Sequence, residues 1–96
     1  MATTFRCAQP EPMPADGLIR TVWPVGDRFR ITMTSHFDAD VADCKFQCRL
    51  KWEPEPDDVL INVLTRSDAE QLIDGIDRHM QRCANILGCE ITVGAS

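Results

Sequence analysis

The tightest constraint on this chain is a pair of alternating stretches. Along residues 28–37, Phe29, Ile31, Met33 and Phe37 share one parity, while Arg28, Arg30, Thr32, Thr34 and His36 share the other. Along 44–52, Cys44, Phe46, Cys48, Leu50 and Trp52 alternate with Lys45, Gln47, Arg49 and Lys51. Period two is the side-chain repeat of a β-strand, so each stretch predicts a strand with one buried and one wet face. Something must then cover the apolar side of that sheet.

The covering element is a helix. Ala69, Leu72, Ile73, Ile76, Met80, Cys83 and Leu87 fall within about 100° of arc when wound at the helical repeat, a single core-facing stripe. Ser67 with Glu70 three residues later is a capping-box pattern, Asp68 adds a favourable first-turn charge, and Gly88 follows as a helix stop. Such a helix runs roughly 30 Å, enough to lie across a small sheet.

Three weaker strand signals complete the outline. Leu18–Pro24 is β-rich and is followed by turn chemistry at Val25-Gly26-Asp27. Val59–Leu64 is apolar on both parities, which predicts a strand covered on both faces. Cys89–Val93 reads as a short last strand. The expected fold class is α+β, in the order β-β-β-β-α-β. Its sheet has four to five strands, antiparallel or mixed, with one long helix packed on one face. Pairing of the last strand beside the fourth would make the helix a right-handed crossover.

At 96 residues the chain has room for one domain. That domain is expected over 17–96, behind a proline-rich arm at 1–16. Pro10, Pro12 and Pro14 favour extended backbone there, with Phe5 and Met13 as the residues able to dock it. The five cysteines (Cys7, Cys44, Cys48, Cys83, Cys89) form an odd set. The N-terminus lacks the basic-then-apolar order of a secretory signal. Both features predict reduced thiols and a cytoplasmic protein. A domain this small buries only about 60% of its unfolded surface, so a homodimer is compatible with its size.

Few residue groupings suggest chemistry. Cys44-x3-Cys48 and His79-x3-Cys83 have the look of zinc-ligand pairs. Residues four apart on one strand, however, are about 13 Å apart. On the helix, Cys83 falls in the core stripe and His79 at its edge. Cys48 and Cys83 are therefore expected to be small buried hydrophobes and His79 a boundary residue. No cysteine looks like a nucleophile: Cys89 follows a helix C-terminus, Cys44 borders an acidic loop and Cys7 lies on the arm. The Asp38-x-Asp40-x-x-Asp43 loop lacks the glycine and glutamate of a calcium-binding loop. No catalytic residue, metal or cofactor is assigned, and no enzymatic activity is expected.

Charge is the remaining signal. The total is −5, which argues against bulk affinity for nucleic acid or anionic membrane. Alternation nevertheless places Arg28, Arg30, Lys45, Arg49 and Lys51, with Arg20 beside them, on the wet sheet face. Asp38, Asp40, Asp43, Glu53, Glu55, Asp57 and Asp58 gather in the two connections. The expectation is a polarised molecule with a basic sheet face and acidic rims. Like charges on neighbouring strands cost stability, so a purely decorative basic face is disfavoured.

These features point to a small non-enzymatic module that binds another protein by charge and bulk. In size, acidity and α+β make-up the chain is similar to small phage-encoded inhibitors of bacterial defence systems, anti-CRISPR proteins among them. Two surfaces compete for the contact. The basic face suits an acidic protein, and the acidic rims could imitate a nucleic-acid backbone against a nucleic-acid-binding complex. Direct nucleic-acid binding by the basic face is the alternative, weakened by the lack of aromatics on that parity. A small zinc- or thiol-dependent protein is the third reading.

Overall fold

The computed structural model describes residues 2–37 and 46–94. Its elements are β1 (Ala2–Phe5), β2 (Leu18–Val25), β3 (Phe29–Phe37), β4 (Phe46–Glu53), α1 (Asp58–Asn62), α2 (Arg66–Leu87) and β5 (Ile91–Gly94). The fold is α+β and antiparallel, divided into a three-stranded sheet β2-β3-β4 and a two-stranded ribbon β1-β5. The long helix lies on one face of the larger sheet, against β2 and β3, and it also touches the ribbon.

Register converts alternation into layers. Ile19, Ser35 and Cys48 form one row across the helix-facing side, followed by Thr21, Met33 and Leu50, and then Trp23, Ile31 and Trp52. Ile19, Trp23, Val25, Phe29, Ile31 and Met33 from this side are buried, and Met80, Cys83 and Ala84 of α2 close over them. Phe29 meets Trp52 edge to face, with ring centroids 5.1 Å apart. The parity expected for β3 is therefore the parity observed, and on β4 Trp52 follows it. Cys48 and Leu50 nonetheless stay exposed, because α2 spans β2 and β3 and does not reach the β4 edge.

Four expectations need correction. Residues 59–64 are not a strand. Asp57 Oδ1 accepts from Leu60 N at 2.8 Å and starts α1. Leu60 and Leu64 then turn one side to the core, while Val59, Ile61 and Val63 face outward. Secondly, α2 begins two residues earlier than predicted. Its box is made by Thr65 and Asp68, with Asp68 N to Thr65 Oγ1 at 3.1 Å and Thr65 N to Asp68 Oδ2 at 3.0 Å.

Thirdly, the buried stripe of α2 is rotated from the predicted one. Ala69 and Ile73 are exposed, whereas Gly75 and His79 are buried. Gly75 sits directly over the Trp23 indole: a Cβ there would lie 1.9 Å from Trp23 Cε2. Apolarity alone could not find this line, because the closest approach uses the residue with no side chain. Lastly, the final strand pairs with the start of the chain rather than beside the fourth strand. β1 and β5 run antiparallel from Ala2↔Gly94 to Phe5↔Ile91.

That ribbon anchors the proline-rich segment. Phe5 and Ile91 pack against the core cluster, while Met13 stays exposed. Asn85 of α2 holds the rest. Its Oδ1 accepts from Ala8 N (3.0 Å) and Gln9 N (3.4 Å), its Nδ2 donates to Glu11 Oε2 (3.1 Å), and its carbonyl accepts from Glu11 N (3.3 Å). Asn85→Ala is expected to cost about 1–2 kcal/mol and to open residues 6–16 to a broad-specificity protease. Limited proteolysis checks this; an unchanged cleavage rate would mean that the prolines alone hold the segment.

Candidate functional site

The face of β2-β3-β4 turned away from the helix is the candidate interface. Three rows run across it: Arg20, Thr34 and Arg49; Val22, Thr32 and Lys51; Pro24, Arg30 and Glu53. Leu18, His36 and Gln47 make a fourth. Among the described residues no element packs on this side: α2 and the ribbon contact each other, and α2 holds the opposite face. Arg20, Val22, Arg30, His36, Arg49 and Lys51 are all exposed.

Its electrostatics differ in detail from a uniform basic surface. Glu53 belongs to the face itself. Its carboxylate takes Arg30 at 2.5 Å and Lys51 at 3.8 Å. The Arg30 guanidinium, and then Lys51, hold the Glu53 carboxyl below the usual glutamate range. Arg20 pairs with Asp16 at 2.8 Å. The Asp16 carboxyl is lowered first by the Leu18 N–H and then by Arg20. Arg49, in the middle of β4, has no ion pair among the described residues, and Lys51 has only the long contact to Glu53. The positive centre of the face is thus Arg49 with Lys51. Arg28 is exposed in the turn before β3, off the end of the rows.

The remaining sequence candidates divide in two. Lys45, Asp38, Asp40 and Asp43, together with Cys44, lie outside the described residues. In the second connection Asp57 is spent on capping α1, whereas Glu55 and Asp58 are exposed. A cleft between the 25–29 turn and the start of α2 is lined by Asp27, Arg28, Asp68 and Gln71 among others. Two of its polar groups are already engaged, for Gln71 Oε1 accepts from Gly26 N at 2.8 Å and Asp68 closes the capping box.

His79 and Cys83 are brought together, but as a core cluster. His79 is fully buried rather than at a boundary, with Nδ1 2.8 Å from Thr21 Oγ1 and Nε2 2.6 Å from Ser35 Oγ. Cys83 Sγ lies 3.6 Å from Nε2. Burial, aided by Arg82, pushes the imidazole pKa down to about 4, and burial pushes the Cys83 thiol up to about 11. A neutral imidazole with one donor and one acceptor nitrogen satisfies both hydroxyls. Cys48, expected in the core, is exposed opposite Ser35. No cluster of three or more His, Cys, Asp or Glu suited to a metal occurs among the described residues. The sequence signal for this cluster was Ser35, the one polar residue on the apolar parity of its strand.

No helix among the described residues is long and apolar enough to cross a membrane. Compared with known protein families, curated proteins and solved structures, the chain matches none.

Proposed function

We propose that this chain is a non-enzymatic protein-binding module whose contact surface is the outer face of β2-β3-β4. The observation that supports this most is the exposed Arg49–Lys51 centre, framed by Thr32, Thr34 and Val22 on a sheet face with no covering layer among the described residues. A face with exposed cations at its centre and ion-paired ones at its margins suits an acidic protein surface. Charge complementarity there supplies association rate and specificity. The finer reading is a phage-type inhibitor of a bacterial defence complex, covering its target by charge and bulk. Under this reading the chain needs no cofactor.

Direct nucleic-acid binding fits less well, because the rows carry no Phe, Tyr or Trp as a base-stacking platform and His36 is their one ring besides Pro24. Arg49→Glu with Lys51→Gln is the test. Both side chains are exposed, so stability should stay within about 0.5 kcal/mol. Capture of the host partner should fall about tenfold or more and should weaken with added salt. Arg30→Glu is a poorer probe because it would set a carboxylate against Glu53. Unchanged capture would sink the proposed interface. A salt-sensitive mobility shift with single- or double-stranded probes, lost in the same variant, would favour nucleic acid instead.

A further inference from the structure

An odd number of cysteines argues for free thiols, yet two of them, Cys7 and Cys89, follow directly on the paired strands β1 and β5. The β1-β5 ladder pairs each residue with a partner one step back as the chain advances, ending at Phe5↔Ile91. One step further, beyond the last paired residues, the side chains of Arg6 and Glu90 still meet, Nε to Oε1 at 3.0 Å. Carried on by one more step, the same register would set Cys7 opposite Cys89. Opposed residues of an antiparallel pair have Cα atoms about 4.5–5.5 Å apart, within the roughly 4.4–6.8 Å that a disulfide spans.

A second contact, independent of the ladder, fixes the Cys7 thiol in the same place. Cys7 Sγ donates to the Asn85 carbonyl at 3.8 Å, in the last turn of α2. Gly88, in the left-handed conformation at φ 65°, ends that helix immediately before Cys89. Cys7 is thus held at the last turn of the helix, just before the chain reaches Cys89. Cys7 is half-buried and Cys89 exposed, and both are free thiols.

We propose that Cys7 and Cys89 are an oxidisable dithiol, a modification site at which a small-molecule disulfide closes the N-terminal segment onto the C-terminal end. The exposed Cys89 thiolate attacks one sulfur of oxidised glutathione, forming a mixed disulfide and expelling one glutathione thiolate. The Cys7 thiolate then attacks Cys89 Sγ, forming the internal disulfide and expelling the second. The two protein thiols give up two electrons and two protons, and glutathione disulfide takes them up as two glutathione thiols. Cys83 stays out of the exchange because it is fully buried. The site is independent of the sheet-face interface.

The test treats the whole chain with oxidised glutathione, alkylates remaining thiols under denaturing conditions, and maps the digest by mass spectrometry. The expected product is a monomer lighter by two hydrogens, with the peptides of Cys7 and Cys89 joined. Cys7→Ser should leave a glutathione adduct on Cys89, and Cys48→Ser should still close the Cys7–Cys89 bond. Asn85→Ala, which frees the segment, should slow closure several-fold. A wild-type chain carrying glutathione on Cys89 with Cys7 alkylated would overturn the proposal. So would Cys89 joined to any other cysteine, or a covalent dimer through Cys89.

Discussion

Gly75→Ala is expected to destabilise the protein by about 3 kcal/mol, near the upper end of what overpacking usually costs. The added methyl would arrive 1.9 Å from Trp23 Cε2 and 2.2 Å from its Cδ2 and Nε1. No rotamer of a ring that is itself 2% exposed can absorb that approach, so helix and sheet must separate. The separation would loosen every contact α2 makes with β2 and β3, including those of His79 and Cys83. Urea unfolding measures the effect as a lower midpoint at unchanged slope. Trp23 Nε1 is already without a hydrogen-bond partner, so this contact is retained for its shape.

A double-mutant cycle isolates the cause. Trp23→Leu alone should be destabilising through the cavity it leaves. Combined with Gly75→Ala, the methyl would fill part of that space, and the pair should cost at least 1 kcal/mol less than the sum of the single changes. Strict additivity would show that Gly75 matters for some other reason. Gly88→Ala is the contrasting control. Nothing lies within 4 Å of a Cβ there, so its cost comes from the φ of +65° alone, about 1–2 kcal/mol.

Mild acid is expected to weaken the fold through His79. In the unfolded chain its imidazole takes up a proton near pH 6.5, whereas the buried ring between Thr21 and Ser35 resists protonation down to about 4. The unfolded state therefore binds more protons across that window. The stability contributed by the neutral ring is whole above pH 6.5 and drains as the pH falls from there towards 4. The slope approaches 1.4 kcal/mol per pH unit, roughly 3 kcal/mol in all.

Urea midpoints for wild type and His79→Gln, taken across the same window, check this. The variant should start lower by about 1–3 kcal/mol and fall less steeply. Parallel decline of the two proteins would rule His79 out as the cause. Asp16 and Glu53, whose carboxyls are lowered by the Leu18 N–H and by Arg30, contribute stability that is present above the carboxylate range. It is lost only at more acidic pH, so the two effects separate along the pH axis.

Legibility followed the physics of each element. Alternation in β3 and β4 was readable because a strand's side chains change face at every residue whatever packs on them. The 59–64 run misled because its apolar residues looked like a two-sided strand. Asp57, placed to cap, outweighed β-branching over so short a segment. In α2 the stripe was sought among large apolar residues, whereas the close approach to Trp23 requires glycine and the polar parity break at Ser35 requires His79. The outer-face cations were found by parity. Their partners were not, since Glu53 looks like part of an acidic connection until strand pairing sets it beside Arg30.

By itself the sequence determined the α+β class, the parity of the strands, the long capped helix and the sign of charge on the wet sheet face. All of these depend on local period and spacing. Tertiary structure alone decided how far the cover extends. A helix about 10–12 Å across laid on strands about 4.8 Å apart shields two of them. β4 is therefore left with Cys48 and Leu50 exposed beside α2 and with Arg49 and Lys51 exposed on the other side. Tertiary structure also decided that the chain's two ends meet. No local pattern encodes that pairing, because β1 and β5 are short and are brought together by Phe5 and Ile91 entering one core and by Asn85 holding the segment between.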